Sequence, residues 1–462
     1  MNNQSKSKLK WRPSTTTNIA FGFFAVILLG ACILSLPISA ADGKATPFVD
    51  SLFTSTTSVC VTGLVVVNTF EHWSLFGQAV ILVLIQCGGL GIVTVTSMGM
   101  VILGRKITLR GRMLMQDAYN LSQLSGIVKF MKKVIIGTFL VEGLGALCYM
   151  FAFVPEFGFA KGTWVSVFTA VSAFCNAGID IIGANSLAPY VSNVLVNVVT
   201  IFLIVMGGIG FIVWFDVLNG VKAVRQGAYP GKFLFQRLTL HSKIVITTTL
   251  ILIVGGALLV FGLEYSNPDT FGELSFGDKV MASLFQSVTT RTAGFLTVSQ
   301  KALRDTTALI CMLFMFIGGS SVGTAGGVKT SSIALVFIAV KSAVAGTEHT
   351  NAFGRRIHLH LIRKALAVIF ISLSAVFVAI FMLSTFTGGD FVDVMFEVFS
   401  AIGTAGLSRD YTGTLNLAGK FIVIVCMYLG RIGPITMAMI IGYRKNNAYY
   451  SPEYPYEDIT VG

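Results

Sequence analysis

Residues 54–63 read TSTTSVCVTG, a hydroxyl-rich stretch in an apolar chain, and stretches of the same kind end at Gly178 (AVSAFCNAG), Gly294 (QSVTTRTAG) and Gly406 (FSAIGTAG). The four glycines stand 115, 116 and 112 residues apart (63 to 178, 178 to 294, 294 to 406), and so regular a spacing means internal repetition. An aromatic residue opens each copy: Phe53, Phe168, Phe285 and Phe396. A glycine pair or its relic follows each copy, at Gly88-Gly89, Gly207-Gly208, Gly318-Gly319 and Gly430-Arg431, offset by 25, 29, 24 and 24 residues from the first glycine. One unit has been copied four times.

Of the 462 residues, 54% are apolar and 12% charged, and the mean hydropathy is +0.79. Soluble domains carry about 25% charged residues, so this composition suits a bilayer. The apolar runs reach the roughly 20 residues that cross a hydrocarbon core. The seven cysteines fall mostly within those runs, without paired metal-ligand spacing, and read as small buried hydrophobes. The run from Ile19 is too long for a cleaved leader and lacks a convincing cleavage site, so it reads as the first membrane helix.

The net charge of +12 would suit nucleic acid if it were spread evenly, but it is not. Lys and Arg gather between the repeats, in clusters around Arg105 to Lys133, Lys222 to Lys243 and Lys341 to Lys364. Acids sit within the repeats, among them Asp50, Glu71, Asp180, Glu264, Asp393, Glu397 and Asp410. The positive-inside rule then places the linkers and both termini in the cytoplasm. The acidic segments would face outward and concentrate cations.

Each repeat reads as an apolar span, a helix too short to span, the glycine stretch and a second apolar run. The expected spans are 18–40 and 75–103, 134–154 and 191–218, 244–263 and 307–338, and 365–386 and 417–443; the short helices are 47–59, 163–174, 276–290 and 391–402. The units are a cytoplasmic N-terminus (1–16), repeats over 17–105, 134–221, 243–341 and 364–444, and a cytoplasmic tail (445–462). This is an all-α integral membrane fold of eight spanning and four re-entrant helices around one pseudo-fourfold pore. Non-helical backbone at membrane depth survives only when buried in protein or lining a watery cavity. Four such segments on one axis would offer rings of carbonyl oxygens in place of a cation's water shell, with glycine allowing the backbone angles needed. A single such glycine could equally serve close helix packing; four at matched positions favour the pore.

With CVTGL, CNAGI, RTAGF and GTAGL at the filters, nearly the whole chain resembles the Trk/Ktr/HKT superfamily of potassium transporters. It begins directly at the first repeat, as the membrane subunits of bacterial Ktr systems do. The resemblance implies that carbonyls of Val61, Thr62 and Gly63; Asn176, Ala177 and Gly178; Thr292, Ala293 and Gly294; and Thr404, Ala405 and Gly406 hold K⁺. In the plant members of that superfamily a serine at the first filter glycine goes with sodium permeation, so the resemblance, with Gly63 here, implies potassium. It further implies a homodimer with one pore per protomer in a bacterial cell membrane, a cytosolic nucleotide-binding ring of the KtrA or KtrC type that takes ATP or ADP, and stimulation by Na⁺.

The second run of repeat 3 is interrupted by GGSSVGTAGGVKTSS (318–332), whose five glycines cannot hold a stable lipid-facing helix. Gly318, Gly319, Ser320, Ser321, Gly323, Thr324, Gly326, Gly327 and Lys329 are read as a loop that obstructs the pore, as the family has at this place. The packing-kink alternative stays open. GTAGGVKT lacks P-loop spacing and follows no soluble strand. Arg431 lies within the last span, where an arginine costs about 2.5–3.5 kcal/mol unless it faces a cavity or partner. It is read as a positive barrier below the filter; a salt bridge to Glu142 or Asp216, or snorkelling, is the alternative. Arg291 is expected to brace the filter from behind, and Glu71 and His72 to be solvated at the outer mouth.

No nucleotide site, metal cluster or nucleophile–base set is evident, so the chain is expected to be no enzyme and to hold no cofactor besides its transported ion. His349, His358 and His360 have no partner set. The main competing reading is an ion-coupled solute symporter with broken helices, which would usually show two inverted repeats. The tail 449–462 (YYSPEYPYEDITVG) is a candidate dimer contact.

Overall fold

The computed structural model describes residues 15–92, 94, 95, 99, 109–118 and 126–433. The N-terminal segment up to residue 14, part of the first basic cluster and the tail 445–462 lie outside the described residues.

The fold is nearly all helical, and each repeat contributes the three elements expected of it. The first helices are Thr15–Leu34, Ile127–Phe157, Leu240–Glu264 and Leu359–Thr387. The last three run past the expected ends because polar and basic residues such as Lys129, Lys132 and Lys133 continue the helix beyond the apolar core. The first stops short, at Leu34 rather than residue 40. Pro37 opens a 3-10 turn, Pro37–Ser39, since proline has no N–H for an α-helical bond and disfavours helical angles in the residue before it. Large apolar side chains such as Phe139, Phe151, Phe370 and Phe381 are exposed along these helices and form the lipid-facing side.

The short helices are Phe48–Cys60, Phe159–Cys175, Phe276–Thr289 and Phe391–Gly403. They pack inside, and each lies against the second helix of the preceding repeat. Leu75–Leu90 flanks the short helix of repeat 2, Val194–Gly208 that of repeat 3, Asp305–Phe316 that of repeat 4, and Leu417–Ile432 that of repeat 1. The circle therefore closes. On the acidic side it is fastened by an ion pair from Lys420 Nζ to Asp50 (2.5 Å), between repeats 4 and 1. Arg409 Nε donates to Asp393 (2.8 Å) and its NH2 to Asp305 (3.3 Å), joining repeats 4 and 3.

The second helices depart most from expectation. None of the four described segments continues through its apolar run: Leu75–Leu90 ends at Gly91, Leu417–Ile432 at Gly433, and Val194–Gly208 bends by 99° into Phe211–Arg225. Asp305–Phe316 stops before the glycine-rich stretch and the chain resumes as Thr330–Val344. Gly91, Gly210 and Gly433, at the three breaks, share left-handed φ values of +82°, +91° and +93°. Just before them, the first glycine of each pair allows close packing. A Cβ on Gly88, Gly207 or Gly430 would stand 2.1, 1.9 or 2.2 Å from the carbonyl oxygen of Val59, Phe174 or Ile402, at the end of a short helix. These three carbonyls each lie four residues before their repeat's glycine of the hydroxyl-rich stretch, so the copies match in contact as well as in sequence.

Candidate functional site

At the end of its short helix each repeat reverses in the same way. Val61, Asn176 and Thr404 are left-handed (φ 55°, 60° and 51°), and the next amide reaches back to the carbonyl of Thr57, Ser172 or Ser400, a Schellman-type stop. Repeat 3 turns through Thr292 (φ 70°), with the Ala293 amide on the Thr289 carbonyl. Hydroxyls on the short helices then fix the strand that follows. Thr57 Oγ1 accepts from the Gly63 amide (3.0 Å), Ser172 Oγ from that of Ile179 (3.1 Å), and Thr289 Oγ1 donates to the Phe295 carbonyl (2.5 Å). That is the local use of the hydroxyl-rich sequence.

Gly63, Gly178, Gly294 and Gly406 all have positive φ and meet one another in repeat order. A Cβ on Gly63 would stand 2.6 Å from the Ala177 oxygen, one on Gly178 2.5 Å from that of Ala293, one on Gly294 2.9 Å from that of Ala405, and one on Gly406 2.1 Å from that of Thr62. The four contacts run from repeat 1 to 2, 2 to 3, 3 to 4 and back to 1. The segments thus converge on one axis, with four backbone oxygens beside the glycine ring. Val61, Thr62, Asn176, Ala177, Thr292, Ala293, Thr404 and Ala405 are buried in the same layer.

On one side of the ring opens a cavity of about 330 Å³ lined by the four glycines together with Asn68, Asp180, Ser408 and Asp410. Here the acids of the repeats divide. Asp50 and Asp393 are paired with basic side chains. Glu264 accepts from Asn267, Thr270, Thr307 and the Arg304 amide, and Glu397 from Ser408 and Thr412. Asp180 and Asp410 are left to line the cavity. Burial pushes the Asp180 carboxyl up to about 6, against which the Ile182 amide donates at 3.3 Å. Its charge is therefore lost progressively as the pH falls through that value. Rubidium uptake at subsaturating concentration should fall as the pH on the cavity's side of the membrane drops through about 6, and Asp180→Asn should flatten that dependence.

The interruption of repeat 3 reaches the bend of repeat 2 and the turn of repeat 4. Ile317 and Val328 pair as a short parallel bridge, and the loop is stitched to the bend of repeat 2. Ser320 and Thr324 amides donate to Gly208 and Gly207 carbonyls (2.8 and 3.1 Å), the Phe211 amide to Val322 (3.0 Å), and Thr324 Oγ1 to Phe174 (3.0 Å). A Cβ on Gly326 would lie 2.0 Å from Thr404 Oγ1, and one on Gly327 3.0 Å from the Gly403 oxygen, so the loop also presses on repeat 4. Gly319 packs on Ala325, and Gly323 on the Gly207 carbonyl. Ser321 Oγ meets Ser331 Oγ at 3.3 Å, and Lys329 Nζ donates to the Ala325 carbonyl at 2.8 Å.

Arg431 donates to the carbonyl of Thr324 in the loop and to those of Gly88 and Gly89 in repeat 1. Neither carboxylate considered from sequence holds it: Glu142 accepts from Gln86 and Cys175, and Asp216 from Thr239. Beyond the loop a cavity of about 240 Å³ is lined by Lys329 and Arg431 with Ile19, Phe23, Phe211 and Ile432. Arg291, expected to brace the filter, is buried with its Nε lacking a hydrogen-bond partner. His72 is not simply solvated; its Nε2 bonds Thr46 Oγ1 at 2.9 Å. The seat of the loop on Gly207, Gly208 and Phe211 was not legible, because its partners are backbone groups, which carry no sequence signal.

Comparisons with known proteins bear on the chain as a whole. The model of the family described as "TrkH: Cation transport protein" matches residues 5–446. The potassium/sodium uptake protein NtpJ of Enterococcus hirae is 37% identical over 99% of this chain and 99% of its own length. The Ktr system potassium uptake protein B of Bacillus subtilis is 41% identical over 94% of each. The crystal structure of the potassium transporter TrkH from Vibrio parahaemolyticus superposes with a TM-score of 0.71 at 18% identity, covering 95% of this chain and 87% of that one.

Proposed function

Since the chain belongs to the TrkH family of cation transport proteins, we propose that it takes up K⁺ through the glycine ring, with the repeat 3 loop as the gate. The chain is a membrane ion transporter and not an enzyme; potassium as its principal ion, and the route, are our reading. The observation that carries it is the cyclic contact of Gly63, Gly178, Gly294 and Gly406 with the carbonyls of Ala177, Ala293, Ala405 and Thr62. Rings of backbone carbonyl oxygens can replace a potassium ion's hydration, and the dipoles of the short helices end beside them.

Inward movement needs no chemical energy from this chain. A membrane potential supplies about 2.3 kcal/mol per charge per 100 mV, enough for roughly 50-fold accumulation. The resting contacts of the loop suit control from outside the chain. We assign that control to a cytosolic nucleotide-binding ring of the KtrA or KtrC type on the basic linkers, with the protein a homodimer, Na⁺ a stimulator, and both termini in the cytoplasm. Cells lacking their own potassium uptake test this. Growth at low potassium should return when the gene is expressed with such a partner, and more weakly or not at all without it. Growth unchanged in both cases would contradict potassium uptake.

A further inference from the structure

The linker between repeats 2 and 3 is folded onto the bundle. Phe211–Arg225 turns 99° away from the apolar segment Val194–Gly208. Its Asp216 receives the amide and the hydroxyl of Thr239 (2.9 and 2.8 Å), the residue that caps the span Leu240–Glu264. The helix is thereby held crosswise at the level where that span begins. Tyr229 donates to the Gly220 carbonyl (3.2 Å) and Lys243 Nζ to that of Gln236 (2.8 Å), which fixes the return through Leu234–Arg237.

Asp216 is the one acid in residues 211–243, against five Lys and Arg. Leu218, Lys222 and Arg225 recur at the spacing of one helix face, and all three are exposed. Lys232 and Arg237 are exposed as well, among exposed Phe233 and Phe235, with Lys232 Nζ 5.2 Å from the Phe233 ring. None of these four cations takes part in the ion pairs among the described residues. Unpaired cations mixed with large apolar side chains, at the start of a span, suit the boundary where lipid phosphates meet acyl chains. We propose that anionic phospholipids of the surrounding membrane bind this face. Lys222, Arg225, Lys232 and Arg237 would take the phosphates, while Leu218, Phe233 and Phe235 enter the acyl boundary. The same helix begins at Phe211, whose amide donates to the Val322 carbonyl of the repeat 3 loop (3.0 Å), so a lipid that pins the helix also pins a contact of that loop. The binding needs the chain in a bilayer and does not depend on the route of the ion.

Native mass spectrometry of the full chain in detergent, titrated with phosphatidylglycerol or phosphatidylcholine, tests this. Phosphatidylglycerol should bind more tightly, and Lys222→Gln combined with Arg225→Gln should weaken it roughly 30-fold. Lys232→Gln alone should weaken it about fivefold, and serves if the double variant does not fold. The same loss of two charges in the third linker, Arg363→Gln with Lys364→Gln, should leave binding near that of the wild type. Equal binding of the two lipids, or an equal loss in both double variants, would overturn the proposal. So would unchanged phosphatidylglycerol binding in the Lys222 and Arg225 variant alongside weaker attachment of a cytosolic ring, which would make this face a protein seat. No ion flux enters the measurement, so the lipid site and potassium uptake can each fail without the other.

Discussion

Alanine at Gly406 is expected to abolish rubidium uptake by the purified chain in liposomes. The added Cβ would lie 2.1 Å from the Thr62 oxygen, 2.8 Å from the Gly63 Cα and 2.9 Å from the Thr62 carbonyl carbon. These are backbone atoms of the neighbouring repeat, so no side chain can rotate away. Gly406 also has φ +83°, a region that costs an L-residue about 1–3 kcal/mol. The ring oxygen must move to admit the methyl group, and a barrier raised by about 2.7 kcal/mol already slows passage roughly 100-fold. The mirror substitution at Gly178, whose Cβ would meet the Ala293 oxygen and the Gly294 Cα both at 2.5 Å, should do the same. Wild-type flux in either variant would mean that ions do not pass here.

Arg431→Gln is expected to act in the opposite direction, raising flux through the chain reconstituted without a partner. The guanidinium joins the Thr324 carbonyl of the loop to the Gly88 and Gly89 carbonyls of repeat 1, so in the proposed gate it would tie the loop to that repeat. A hydrogen bond to a charged group contributes about 1.5–3 kcal/mol, so losing one shifts a closed-to-open balance by roughly 10- to 100-fold. Glutamine can keep one bond but not the charge or the bridge. The loop would still be seated on repeat 2 through Gly207, Gly208 and Phe211, which limits the gain. Unchanged rubidium flux and unchanged sodium dependence would remove Arg431 from the gate.

Much of this architecture could be read from the chain because the decisive features are local. A Ser/Thr-rich helix followed by glycine specifies its own stop, and four copies at nearly constant spacing leave few arrangements besides a ring. Segment boundaries were harder. Val194–Gly208 and Phe211–Arg225 read as one apolar run, since hydropathy does not change across the 99° bend; only Gly210 marks it. Asn176 at a left-handed position carries a known signal, but Val61 carries none. Arg431 was expected to face a cavity or a partner, with Glu142 and Asp216 as alternatives to a barrier; it bonds carbonyls at a helix break instead of either carboxylate, and such carbonyls leave no compositional trace. The acids within the repeats do not share one role. Asp50 and Asp393 brace the circle of helices, and Asp180 and Asp410 line the mouth.

The most direct test is to locate the ion itself. Crystals of the full chain soaked in thallium(I), a potassium mimic, should give an anomalous peak on the axis ringed by Gly63, Gly178, Gly294 and Gly406, reduced by competing potassium. Thallium found only away from that ring, with the ring itself bare, would contradict the account.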